Sequence, residues 1–222
     1  MPDITLHHLD NSRSQRILWL FEELELEYAI TEWKRDPKTF RAPPGLRAIH
    51  PLGKAPLVQI GDTVLAESGA ILESVLERFG EGRLVPTDAE GRERYRFWLH
   101  YAEGSLMPPL LLKLVVGQLR SRRIPFFAKP VTRAIADRID SGFTDAEIDA
   151  HFSFVDAHLA KHPYFAGSEL SGADIQMSFP LEAGMTRGAG ERPHIQAYLA
   201  RIAERPAYRR ALEKGGGFTA MR

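Results

Sequence analysis

The sequence predicts an α/β unit of βαβ-ββα order over residues 1–80 and an all-α unit, a C-terminal helical bundle, over residues 89–222, with a linker at 81–88. Three observations predict this. The first eighty residues mix short alternating runs with two apolar stripes of helical period. Every apolar stripe after residue 89 has helical spacing. Between them, residues 80–88 carry Gly80, Gly82 and Pro86 and show no period, which reads as a connection.

Residues 4–8 form a short extended run, and residues 14–24 then place Ile17, Leu18, Phe21 and Leu24 at helical spacing. Residues 28–33 alternate enough for a second strand. Parallel strands joined by a helix imply a right-handed βαβ unit. Residues 36–50, with three prolines and a glycine, read as irregular. Two strands, 57–60 and 64–66, flank Gly61, Asp62 and Thr63, a turn-forming interruption that suits a hairpin. Residues 68–79 set Ile71, Leu72, Val75, Leu76 and Phe79 on one face of a helix, with Gly80 just past its end.

A long helix starts at residue 90 and runs to 106, where Pro108 and Pro109 should bend or end it; residues 110–119 resume the pattern. Residues 144–161 place Ile148, Phe152, Val155 and Leu159 on one stripe. Further helices are predicted at 173–183, 194–204 and 207–214, with Pro193 and Pro206 near the starts of the last two.

Composition narrows the function. The 222 residues are 44% hydrophobic and 26% charged, an ordinary globular balance. Lys plus Arg equals Asp plus Glu at 29 each, and no basic cluster is interleaved with aromatics, which argues against nucleic acid as a partner. The longest mostly apolar stretch, 106–116, contains two prolines and Lys113 and falls short of the roughly 20 residues of a membrane span. The start of the chain lacks the basic-then-apolar pattern of a secretory signal, so a cytoplasmic protein is expected. With no cysteine, disulfides, thiolate metal sites and a cysteine nucleophile are all excluded. Any sulfur chemistry must come from a ligand.

The chemistry-bearing residues lie in three places. His50, Pro51, Leu52, Gly53, Lys54, Ala55, Pro56, Leu57 and Val58 form a loop that delivers a proline into the start of a strand. A cis bond at Ala55–Pro56 would turn the Ala55 N–H and C=O outward, where an extended peptide could dock as an added strand; a trans proline would merely close the loop. Glu67 and Ser68 stand where the hairpin ends and the next helix begins. Ser68 suits a helix cap by type. The same helix tip, with free N–H groups and a hydroxyl, can also hold a carboxylate while Glu67 takes an ammonium group, as a zwitterionic amino-acid head would require. Finally, the loop His8, Leu9, Asp10, Asn11, Ser12, Arg13, Ser14 brings polar side chains to the start of the first helix. His7 and His8 sit on a strand as packed or solvated residues, and no histidine shows metal-ligand spacing, so no metal is expected.

The run HPLGKAPLV followed by LAESGAILESVLERFG resembles the glutathione-binding half of the thioredoxin-like domain of cytosolic glutathione transferases. LSGADIQMS resembles the family's capping motif in the helical domain, where Ser171 and Asp174 have the S-x-x-D spacing of a capping box. Segments such as HYAEGSLMPPLLLKLV are similar to a fungal and bacterial branch. The resemblance implies that Ala55, before the cis Pro56, pairs with the cysteinyl backbone of glutathione. It also implies that Glu67 and Ser68 hold the γ-glutamyl head, with Lys54 near the glycyl end. Glutathione would be the co-substrate, conjugated to small hydrophobic electrophiles, with peroxidase activity a close variant. A two-fold homodimer is implied as well, and a non-catalytic glutathione-binding module on the same fold is the rival reading.

A thiol titrates near 8.5, and lowering that by two units requires about 2.7 kcal/mol of preferential thiolate stabilisation. A hydroxyl donor and a helix N-terminus can supply it. In Ser- and Cys-type relatives the activating residue stands four or five positions before an arginine of the first helix, which Arg16 matches. That spacing selects Ser12 or Asn11. Ser12 and Ser14 serve equally well as helix caps. Arg16 itself reads as an ion-pair or packing residue. Met107, Leu111 and Phe126 or Phe127 are the apolar side chains expected around the second substrate, although helical spacing makes each of them equally a core residue.

Overall fold

Strand β1 (Ile4–Leu9) runs parallel to β2 (Ala29–Trp33) and antiparallel to β3 (Leu57–Ile60), which pairs antiparallel with β4 (Thr63–Ala66). The sheet order is therefore β2-β1-β3-β4. This computed structural model describes residues 3–121 and 125–216. The outer limits of the two expected units, at 1–2 and 217–222, and the segment 122–124 fall outside those residues. Gly61 takes φ +57° in the two-residue link between β3 and β4, where Ile60 faces Thr63.

Helix α1 (Ser14–Glu23) crosses from β1 to β2 and is buried along nearly its whole length, Ser14 through Glu22. The reason is its position. It packs on β1 and on α3 (Ser68–Phe79), and also on two helices from the far end of the chain, α8 (Gly172–Met185) and α10 (Pro206–Gly215). A helix covered on every side must take its polar residues inside with it, and Arg16 is accordingly 1% exposed. At its C-terminal end Glu23 pairs with Arg205 at 2.6 Å, and Glu22 pairs with Arg210 at 2.7 Å and Lys214 at 2.5 Å.

Several sequence expectations change. A short helix, α2 (Leu46–Ile49), interrupts the segment read as irregular. The chain after α4 (Ala89–Tyr101) does not break at the prolines: it widens into a π turn, Ala102–Leu106, and α5 (Met107–Ser121) starts immediately after. Pro108 and Pro109 thus fall where the π turn passes into α5. Helix α6 (Lys129–Ile139) is absent from the sequence expectation; it spaces Val131, Ile135 and Ile139 four residues apart and leaves Val131 and Ile135 exposed. A second π turn, Asp140–Thr144, precedes α7 (Asp145–Leu159). There the buried Asp140 carboxylate accepts hydrogen bonds from Arg120 at 2.6 Å and Thr144 at 2.7 Å and lies 3.2 Å from Lys113. Helix α9 (Pro193–Ala203) completes the bundle before α10.

The capping box of α8 is present between Ser171 and Asp174. Ser171 N–H donates to Asp174 at 2.8 Å and Phe165 N–H donates to the other carboxylate oxygen at 3.0 Å. Burial nonetheless pushes the Asp174 carboxyl up to about 6. Two glycines let helices approach closely: a Cβ at Gly184 would meet the Phe152 ring at 1.9 Å, and one at Gly172 would meet Leu72 at 2.7 Å. Among the described residues no helix is long and apolar enough to cross a membrane, and no cluster of His, Asp and Glu is placed to hold a metal.

Candidate active site

The sheet presents two helix starts to the helical unit. One is α1, entered through the loop after β1. The other is α3, entered from β4 through Glu67. Glu67 has φ +69° and ψ 120°, a conformation that costs a non-glycine residue about 1–3 kcal/mol and clusters at functional sites. Its side chain is exposed. Ser68 does not cap the helix, contrary to its reading as an N-cap by type. It is the first residue of α3, 4% exposed, and its Oγ accepts hydrogen bonds from Arg16 Nη1 at 3.2 Å and Gln176 Nε2 at 3.3 Å. The first-turn N–H groups of α3 have no partners within their own helix. The tip of α3 is therefore electropositive twice over, from its dipole and from a buried guanidinium behind it.

Arg16 is held by Glu103 of the π turn, whose Oε1 lies 2.5 Å from Nη1. Arg13 Nε donates to both oxygens of the same carboxylate at 3.0 Å. Burial raises the Glu103 carboxyl, but the two arginines outweigh it and hold the group below its ordinary range. Burial lowers Arg16 to about 10, so it keeps its charge at neutral pH. Its Nε and Nη2 are buried without a protein acceptor, while the Arg16 and Arg13 guanidiniums stand 5.3 Å and 5.7 Å from the Phe179 ring centroid. Burial also pushes Glu182 up to about 7, opposed by a hydrogen bond from the Tyr208 hydroxyl and by the charge of Arg16.

At the start of α1, Ser12 is 6% exposed and Ser14 fully buried. Ser12 Oγ lies 2.7 Å from Ser14 Oγ and accepts the Ser14 N–H at 3.2 Å. Ser14 Oγ lies 2.9 Å from His8 Nδ1, and also accepts from Leu9 N–H at 3.2 Å and reaches Leu9 C=O at 3.1 Å. His8 Nε2 donates to the Gly215 carbonyl of α10 at 3.1 Å. Asn11 adopts φ +47°, a region asparagine tolerates. The loop is fastened from β2's far end by Arg35. Its backbone N–H donates to the Asp10 carboxylate at 2.9 Å, and its guanidinium donates to the carbonyls of Asp10 at 3.2 Å, Asn11 at 3.2 Å and Phe40 at 3.1 Å.

The Ala55–Pro56 bond is cis. Pro56 is buried, Ala55 half-buried and Lys54 exposed. Of the apolar residues expected near a second substrate, Met107 is 5% exposed within the core, whereas Leu111 is 51% and Phe126 83% exposed, with Phe127 beside it at 71%. The structure thus brings Arg16 and Ser68 into contact, and it leaves Met107 in the core with Leu111 and Phe126 at the surface. Glu103, Gln176 and Arg35 escaped sequence reading because their partners lie between 24 and 108 positions away along the chain.

Two protein-family models match the chain: "Glutathione S-transferase, N-terminal domain" over residues 12–78 and "Glutathione S-transferase, C-terminal domain" over residues 144–206. The chain is 38% identical to glutathione S-transferase 1 of Saccharomyces cerevisiae over 96% of each chain. It superposes on a glutathione S-transferase from Actinobacillus pleuropneumoniae with a TM-score of 0.82 and 36% identity, covering 99% of this chain and 96% of that one. A theta class enzyme from Xanthomonas axonopodis pv. citri, solved with glutathione bound, aligns with a TM-score of 0.67 and 28% identity over 95% of this chain and 97% of its own.

Proposed function

Because the chain belongs to the glutathione S-transferase family and is a glutathione transferase, we propose that Ser12 is the residue that stabilises the glutathione thiolate for attack on a small hydrophobic electrophile. The observation that carries this reading is Arg16. It lies one helical turn beyond Ser12, and its guanidinium donates to Ser68, so one buried helix joins the sulfur end of the site to the carboxylate end.

Ser68, the α3 tip and the arginine behind it receive the γ-glutamyl carboxylate, while exposed Glu67 takes its ammonium group. Ala55 pairs with the cysteinyl backbone, and Lys54 meets the glycyl carboxylate. The sulfur then lies at the start of α1, where the Ser12 hydroxyl and the helix dipole favour the thiolate. Asn11 is the second choice for this role. Fixing the tripeptide along its length converts a bimolecular attack into a positioned one. Leu111 and Phe126 offer apolar surface on the helical side for the electrophile, and the same thiolate can attack a hydroperoxide. On this reading the enzyme acts in the cytoplasm as a homodimer, for which the exposed Leu52 and Phe97 provide apolar surface.

Ser12→Ala should lower kcat with an activated chloroarene by about 10²–10³, while retention on immobilised glutathione is unchanged. If Asn11→Ala proves the more damaging change, the assignment of Ser12 is wrong.

A further inference from the structure

Ser12 is the outer member of a buried hydrogen-bonded chain that runs Ser12 Oγ, Ser14 Oγ, His8 Nδ1, with links of 2.7 Å and 2.9 Å. Its inner end is fixed. A carbonyl can only accept, so the bond from His8 Nε2 to Gly215 places a proton on Nε2 and leaves Nδ1 of the neutral ring as an acceptor. We propose that His8 takes up the proton that glutathione's thiol loses, relayed through Ser12 and Ser14. The proposal rests on the reading of Ser12 as the sulfur's partner.

The step balances without any co-reactant. Before transfer, Ser14 donates to Nδ1, Ser12 donates to Ser14, and the thiol donates to Ser12. The S–H bond breaks as its proton passes to Ser12 Oγ. The Ser12 proton passes to Ser14 Oγ and the Ser14 proton to Nδ1, leaving a thiolate and an imidazolium. Afterwards each bond persists with its direction reversed, so the Ser12 hydroxyl now donates to the sulfur anion. Lone pairs suffice in both states. Ser14 Oγ accepts the Leu9 N–H throughout, plus Ser12 before the transfer and His8 after it. Ser12 Oγ accepts the Ser14 N–H throughout, plus the thiol before and the Ser14 hydroxyl after. The Leu9 carbonyl at 3.1 Å is the competing acceptor for the Ser14 proton.

The surroundings suit a residue that begins neutral and ends charged. Burial lowers the His8 imidazole, so it is unprotonated at neutral pH before glutathione arrives. The groups that then favour an imidazolium are the Gly215 carbonyl at the C-terminal end of α10, Glu32 on β2 and Asp10 in the loop after β1. In water a thiol near 8.5 and an imidazole near 6.5 set a bias of about a hundredfold against this transfer, and the burial of His8 adds to it. The thiolate at the N-terminus of α1 and the imidazolium at the C-terminus of α10 oppose that bias from both ends. His8 and Ser14 act through Ser12 and are positioning residues.

The test is a proton count. Enzyme is mixed with glutathione at neutral pH in weak buffer with a pH indicator, while the thiolate is followed by its ultraviolet absorbance. Thiolate should form with far less than one proton released per site. In protein labelled with ¹⁵N-histidine, an imidazolium signal absent from His8→Gln should appear with glutathione and not with S-methylglutathione, which has no thiol proton. Ser14→Ala and His8→Gln should each lower the thiolate fraction by about tenfold or more, the equivalent of one pKa unit, with S-methylglutathione affinity unchanged. Release of one proton per thiolate from the wild type would overturn the relay, and that count needs no variant to fold. If Ser12→Ala alone loses the thiolate, the relay is wrong and the reading of Ser12 stands. If Ser12→Ala keeps it, both fall.

Discussion

Nη1 of Arg16 on α1 stands 2.5 Å from Oε1 of Glu103 in the π turn after α4, and this pair joins the sheet-bearing unit to the helices. Glu103→Gln leaves a buried guanidinium without its carboxylate. The loss should be about 3 kcal/mol, the lower end for a broken buried pair because 34% of the Glu103 side chain remains exposed. The sign with pH follows from the lowered carboxyl: the pair's stabilisation is complete above the ordinary carboxylate value and is lost as pH falls below it, through the lowered native-state value. Urea midpoints of wild type and variant should therefore converge in acid, and parallel curves would refute this account.

Glu182 predicts the opposite slope. Burial raises it from 4.5 to about 7, so the native state holds a proton that the unfolded chain releases. Its stabilising contribution is full below 4.5 and is lost as pH rises to about 7, on the order of 3 kcal/mol in all. Glu182→Gln should flatten that part of the stability curve and unfold later than wild type above neutrality. A variant with the wild-type slope would place the titration elsewhere.

Gly184→Ala should be costly and Gly117→Ala favourable. The new methyl at residue 184 meets the Phe152 ring at 1.9 Å, which forces α7 and α8 apart at a cost of about 3 kcal/mol. The one at residue 117 meets nothing within 4 Å inside α5 and should raise stability by about 0.5–1 kcal/mol. Thermal unfolding of the two proteins decides both signs.

Arg35→Lys removes the fork that grips the carbonyls of Asp10 and Asn11. With the loop loosened around Ser12, kcat should fall by roughly ten- to a hundredfold while the thermal midpoint moves little. Steady-state kinetics that match wild type would show that the loop holds its shape without Arg35.

The fold was legible where one stretch of sequence carries its own period. The α3 bounds, the β3–β4 hairpin and the parallel β1–β2 pair follow from residues that are neighbours in the chain. Helix α6 went unread although Val131, Ile135 and Ile139 stand four residues apart, because the stripe is short and follows a proline-containing stretch. The π turns were not legible either, because one extra residue per turn is settled by what packs around it. The residues proposed to grip glutathione could be named from the motif around Pro56 and Ser68. Their supports could not, because Arg16 and Gln176, which meet Ser68 in the fold, stand 52 and 108 positions from it along the chain. Ser68 itself shows the limit of residue type: a good capping residue became an acceptor for a buried cation.

Helix α1 is fastened at one end through Arg16 to Glu103 and at the other through Glu22 and Glu23 to Arg205, Arg210 and Lys214. Both ends of α1 are thereby tied to helices beyond residue 89, so sliding one unit past the other must break these ion pairs.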